Sequence, residues 1–163
     1  MKKNRNKIAT IALVFLCLVA CDTGRVYDSY ISLSSESWKK DDPVSFSFTV
    51  KDTLEQCNLF INIRNNNSYA FSNLFLITAL NFPDGNKIVD TLEYEMADAT
   101  GRFLGAGFTE IKENKLFYKE NVVFPISGDY TVSIAQSMRK NGEIDGVSAL
   151  EGITEVGFRI EKN

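Results

Sequence analysis

Polar and apolar residues alternate along most of this chain. "VSFSFTV" (44–50) sets Phe46, Phe48 and Val50 on one side of the backbone, and "CNLFINI" (57–63) does the same with Leu59, Ile61 and Ile63. "GDYTVSI" (128–134) repeats the pattern with Tyr130, Val132 and Ile134, as does "EVGFRI" (155–160) with Val156, Phe158 and Ile160. Period 2 is the signature of a strand buried on one face. "SNLFLITAL" (72–80) is apolar on both sides, with Leu74, Leu76 and Leu80 opposite Phe75, Ile77 and Ala79. It is therefore predicted as a central strand covered on both faces. Weaker strand patterns fall at 26–33, 88–96, 101–108 and 116–124.

Turn chemistry separates these runs, in Asp41-Asp42-Pro43, Asn65-Asn66-Asn67-Ser68, Pro83-Asp84-Gly85-Asn86, Ser127-Gly128-Asp129 and Lys140-Asn141-Gly142. About eight or nine short strands at such spacing, with no strong helical period, predict an all-β fold. The expected form is an antiparallel β-sandwich, Greek-key/Ig-like or jelly-roll-like, in one domain. "GDYTV", two residues after Phe124-Pro125, suits a corner where the Tyr130 hydroxyl satisfies a nearby backbone group. "NGEIDGVSALEGITEV" (141–156) mixes acids, glycines and small residues and reads as a loop enclosing one helical turn.

The N-terminus breaks the pattern. Lys2, Lys3, Arg5 and Lys7 precede the run Ile8–Ala20, whose only polar side chains are Thr10 and Cys17. A spanning helix needs roughly 20 apolar residues, so this shorter run reads as a secretory signal. Leu18-Val19-Ala20-Cys21 places a small residue before a cysteine, the box cut by lipoprotein signal peptidase, whereas bulky Leu16 precedes Cys17. Cys21 is thus the expected lipid-attachment residue. The expected organisation is a signal peptide at 1–20, a short lipidated tether at 21–25 and a β-sandwich domain at 26–163. Two or three acyl chains at about 0.8 kcal/mol per buried methylene make a stable membrane tether. The protein should be a lipid-anchored membrane protein of the cell envelope. Asp22 follows the anchor and no acidic export signal stands close behind it, which favours the periplasm-facing side and leaves inner and outer membrane both open.

Charge and chemistry narrow the function. Without the four cations of the signal, fourteen bases face twenty-one acids, a net charge near −7 for residues 21–163. Such a domain is a poor nucleic-acid binder. With Cys21 acylated, Cys57 is the lone thiol, expected as a small buried hydrophobe with no disulfide or Cys-ligated metal partner. Histidine is absent, so the commonest general base and zinc ligand are missing. "DGNKIVD" (84–90) lacks the oxygen spacing of a calcium loop. Glu143 and Asp145 in "NGEIDG" (141–146) fit a turn at least as well as a calcium site. "GRFLGAGF" (101–108) lacks the Lys-Ser/Thr of a phosphate loop, so its glycines read as a bulge or a close backbone approach. No enzyme activity, metal or cofactor is expected.

Two places suit partner binding. "RNNNSYAFSN" (64–73) gathers Arg64, Asn65, Tyr69 and Phe71 in the connection between two strong strands. Trp38, the only tryptophan, sits among charges as either a partner anchor or a plug over one end of the sandwich.

Five segments together, "CDTGRVYDSYISLSSESWKKDDPVSFSFTVKDT", "NLFINIRNNNSYAFSNLFL", "DTLEYEMADATGRFLGAGFTEI", "VVFPISGDYTVSIAQSMR" and "LEGITEVGFRIEK", run in order from Cys21 to Lys162. They resemble the gliding-motility lipoprotein GldH family of Bacteroidetes. The most specific pieces are Trp38-x-Lys40-x-Asp42, Phe46-x-Phe48, the NLFINIRN block, Gln136-x-Met138-Arg139, and Gly152-Ile153 with Val156-Gly157. The resemblance implies an envelope lipoprotein of the machinery that moves surface adhesins and is coupled to a dedicated secretion system. It implies no catalytic residue and no cofactor. The expected function is therefore a non-enzymatic protein-binding or scaffolding part of that machinery. Expected partners are other gliding-machinery or secretion-associated envelope proteins, and the membrane through the acyl chains on Cys21. The alternative is a glycan-binding lipoprotein of a polysaccharide-uptake system, which would need an exposed platform from Trp38, Tyr69 or Phe71.

Overall fold

The structure is a computed structural model that describes residues 24–163; the expected signal peptide and the expected attachment residue Cys21 lie outside the described residues. Ten strands run in chain order. They are β1 (Arg25–Ser32), β2 (Ser37–Lys39), β3 (Val44–Val50), β4 (Gln56–Asn65), β5 (Asn73–Asn81), β6 (Lys87–Glu95), β7 (Lys112–Val123), β8 (Gly128–Gln136), β9 (Ala149–Glu151) and β10 (Ile153–Lys162). Eight of them form two antiparallel four-stranded sheets, ordered β1-β10-β4-β7 and β3-β8-β5-β6, while β2 and β9 make a separate ribbon. That pair of orders is a jelly roll: every connection except the β5–β6 hairpin crosses from one sheet to the other.

Alternation places the core as the sequence predicts. Phe46, Phe48, Leu59, Ile61, Ile63, Tyr130, Val132, Ile134, Val156, Phe158 and Ile160 all point inward and are buried. Phe48 stacks on Tyr130 and Phe158 with ring centroids 5.7 Å apart, and Phe124 meets Tyr130 edge-on at 4.9 Å. Such aromatic pairs add about 0.5–1.5 kcal/mol each beyond the area they bury. The predicted corner forms, since the Tyr130 hydroxyl donates to the Ile126 carbonyl at 2.8 Å.

Four expectations need correcting. β5 is central in its sheet but covered on one face only: Leu74, Leu76 and Leu80 are buried while Ile77 is 40% exposed. The strand covered on both faces is β4, because Phe60 lies under Phe117 at 4.6 Å and the Lys115 ammonium 4.0 Å above its ring. Residues 101–108 are not a strand; they belong to an irregular connection touched by isolated bridges Ala97↔Phe103 and Ala106↔Glu113. A Cβ on Gly107 would lie 2.4 Å from the Ile111 carbonyl oxygen, so the close-approach reading of that glycine holds. The 141–156 stretch contains β9 and the start of β10 in place of a helical turn, and β1 already begins at Arg25, inside the expected tether.

Candidate functional site

Jelly-roll topology sends alternate connections to opposite ends. One end carries 33–43, 66–72, 96–111 and 137–152; the other carries only 51–55, 82–86 and 124–127. The chain enters and leaves at the short-loop end, where Lys162 N–H donates to the Gly24 carbonyl at 2.8 Å. All five candidate partner residues, Trp38, Arg64, Asn65, Tyr69 and Phe71, gather at the long-loop end.

Most of them build that end from within. Trp38 is buried beneath the β2–β9 ribbon and its Nε1–H donates to the Asp42 carbonyl at 3.2 Å, so it is a plug and offers no contact surface. Asn65 is fully buried, accepting from Asn114 Nδ2 at 2.9 Å and donating to the Asn66 carbonyl at 3.3 Å. Tyr69 is buried too; its hydroxyl donates to the Asn73 carbonyl at 2.7 Å, and burial pushes the phenol well above its ordinary range. Phe71 is half-buried against Tyr69, with ring centroids 5.9 Å apart. The glycan platform suggested by these aromatics therefore has only the outer part of Phe71 to offer.

Arg64 is the candidate with functional groups near solvent. Its Nε–H donates to Glu113 at 2.9 Å, its Nη1–H pairs with Glu155, and its guanidinium lies 4.3 Å over the Tyr30 ring. Tyr30 lies flat on Gly157, where any Cβ would sit 2.8 Å from the ring. The Tyr30 hydroxyl donates to Glu113 at 3.0 Å and accepts from Asn62 at 2.9 Å; burial first, and the anionic Glu113 second, push it up to about 12. Alternate residues of β1, β4, β7 and β10 thus cover the outside of their sheet with one polar and aromatic mesh. On the outside of the β3-β8-β5-β6 sheet the β3–β8 half is short-chained by contrast, with Ser47 and Thr131 bonded at 3.1 Å, while the β5–β6 half leaves Ile77 and Val89 exposed.

Two hollows mark the two ends. At the long-loop end a slot of about 410 Å³ opens between the 66–72 connection and β9. At the short-loop end a mostly apolar crevice of about 310 Å³ is lined by Tyr27, Phe48, Cys57, Phe124 and Ile160. Cys57 is buried there as expected, and loss of solvent pushes its thiol up. Glu143 stands on the rim of the slot. Among the described residues no group of three or more His, Cys, Asp or Glu side chains could hold a metal ion, and no helix is long and apolar enough to cross a membrane.

Sequence reasoning missed the exposed apolar residues of this end. Phe108 is fully exposed and Leu104 half so, both in the 96–111 connection. Their signal was the set of glycines at 101, 105 and 107, which break strand geometry and leave neighbouring side chains without a face to bury.

A model of the GldH lipoprotein family matches residues 25–160. The chain belongs to this family. Gliding motility lipoprotein GldH homolog of Christiangramia forsetii is 52% identical over 161 residues, covering 98% of both chains. Gliding motility lipoprotein GldH of Flavobacterium johnsoniae is 52% identical over 152 residues, 93% of this chain and 94% of its own. Membership makes this a lipid-anchored envelope protein of the gliding-motility class. Solved structures are more distant: the infectious bursal disease virus VP2 subviral particle is 14% identical with a TM-score of 0.42, covering 86% of this chain and 34% of the viral one, a likeness too weak to carry an argument.

Proposed function

We propose that this GldH-family chain is a non-enzymatic binding or scaffolding part of the gliding machinery, tethered by acyl chains on Cys21 on the periplasm-facing side of the envelope. The observation that carries this reading is the asymmetry of the two ends. Cys21 precedes Gly24 by only Asp22 and Thr23, so the tether meets the sandwich at its short-loop end. The long loops then project away from the lipid, about 30 Å off if β4's ten residues set the height. Partners are envelope proteins that reach this outer end.

Two of the carboxylates, Asp90 and Glu161, fit a role without catalysis. Burial alone would raise Asp90, but hydrogen bonds from Lys119 and Tyr118 outweigh it and hold it below its ordinary value. Glu161 behaves alike: burial raises it, and Lys115 and Arg159 reverse the sign. Both acids are held as paired anions, whereas a general acid at neutral pH needs its proton retained. Burial of Trp38 and Tyr69 supports protein binding over glycan capture.

A clean deletion should abolish colony spreading and adhesin movement while general envelope integrity persists; normal gliding in that strain would contradict the proposal. Cys21→Ser should leave the precursor unprocessed and unlabelled by radioactive palmitate, whereas Cys17→Ser should change neither. Labelling lost only with the Cys17 change would reassign the anchor.

A further inference from the structure

The β2–β9 ribbon has one edge in use and one open. The two strands pair as Ser37↔Glu151, Trp38↔Leu150 and Lys39↔Ala149. Flanking bonds fix which residues turn inward: Lys40 N–H donates to the Ser148 carbonyl and Gly152 N–H to the Glu36 carbonyl, both at 2.9 Å. Bonded and non-bonded pairs alternate in an antiparallel ladder. Ser148, Leu150 and Gly152 therefore turn their backbone groups toward β2, and Ala149 and Glu151 turn theirs away. Among the described residues these outward N–H and C=O groups have no partner.

The open edge borders the 410 Å³ slot. Its opposite wall is fixed at one end, since Asn66 N–H donates to the Gly152 carbonyl at 2.8 Å and a Cβ on Gly152 would lie 2.1 Å from Tyr69 N. From that pinned point the 66–72 connection diverges, leaving Ser68, Ala70 and Phe71 across from Ala149 and Glu151. The three residues of β9 span about 10 Å, room for three residues of an added strand. Exposed sheet edges are usually blunted by proline or charge. Here the loop wall screens the edge and leaves space for one extended chain.

We infer that this slot takes an extended, basic segment of a partner protein, added as a strand on the free edge of β9. The inference rests on the binding role proposed above and names its site and ligand class. Main-chain bonds to Ala149 and Glu151 supply affinity that depends little on sequence, and the side-chain positions supply choice. A Lys or Arg directly opposite Glu151 meets that carboxylate across the ladder, in a domain whose net charge is near −7, while Lys140 and the Lys40 ammonium beside Gly146 set the far limit of the acidic stretch. The neighbouring residue points inward, where an apolar side chain meets Phe71 and Val147.

The test uses the full lipidated protein in its own cells, with the photo-crosslinker p-benzoylphenylalanine replacing the exposed Ser68 on the opposite wall. A discrete adduct to a basic, alternating segment of another protein is expected. Ala149→Pro removes one outward N–H and puts a ring in the slot without touching a β2 bond, so the adduct should fall roughly tenfold. Should that proline disturb the ribbon, Ala70→Trp fills the slot from the opposite wall and should give the same loss. An adduct that survives both changes, an adduct to a second copy of this chain, or no protein adduct overturns the inference. Normal gliding with both variants beside lost gliding on deletion would reject the slot alone, whereas normal gliding on deletion would reject the binding role itself.

Discussion

The two ends of the sandwich are built on different principles. At the short-loop end, connections are short and the interior is aromatic: Phe48, Phe124, Tyr130 and Phe158 interlock, and the Tyr130 hydroxyl closes the corner. At the far end, the longer connections are tied in by buried side chains of mixed kind: Trp38 and Leu150 in the ribbon, Met96 and Met138 beside them in the core, Asn65 bridging to Asn114, and Tyr69 reaching Asn73. The same jelly roll thus separates a base of short turns from a surface made of long loops. Binding residues belong on loops positioned by such a scaffold, and local stability follows the density of buried apolar contacts.

Changes at the far end should break that end alone. Trp38→Ala empties the largest buried side chain there and should cost about 3–5 kcal/mol. Hydrogen exchange should accelerate in 33–43 and 147–152 while the β5–β6 hairpin keeps its protection; uniform acceleration would mean that the ends are not separable. Gly152→Ala sets a methyl against the backbone of Tyr69 at a φ of +81. The loss, read by denaturant unfolding, should exceed the roughly 1–2 kcal/mol of a left-handed backbone alone. At the base, Tyr130→Phe deletes one hydrogen bond and should cost about 0.5–1.5 kcal/mol, with no change in far-end exchange.

The smallest effect is a local pH response of the 98–102 turn at the far end. The Asp98 carboxylate accepts from the Thr100 hydroxyl, the Arg102 N–H and the Thr100 N–H, which together lower it to about 2. A carboxyl held below its unfolded value stabilises the turn fully above about 3.8 and ceases to do so as pH falls toward 2. The Thr100 and Arg102 amides should lose protection across that window, and Asp98→Asn should remove the pH dependence.

The base was legible in the sequence because period 2 is a local code. Phe46, Phe48, Tyr130, Val132 and Phe158 each point where their neighbours say they should. β5 was misjudged because Ile77 looks like a residue needing cover, and only the sheet order shows that no layer lies outside it. The far end was half legible. The asparagine run and the lone tryptophan marked it, but which of Trp38, Asn65 and Tyr69 would be buried depended on β9, a three-residue strand too short to carry a period. The open edge of β9 is likewise a property of pairing parity and leaves no mark on residue types.

The central claim is that the end away from the lipid does the work. It is tested most directly by inserting the same short epitope between Gly105 and Ala106 at the far end, or between Asp84 and Gly85 at the base, and measuring adhesin movement in cells with equal lipoprotein levels. The far insertion should stop movement and the basal one should leave it near wild type. Movement that survives the far insertion and fails with the basal one would contradict the account.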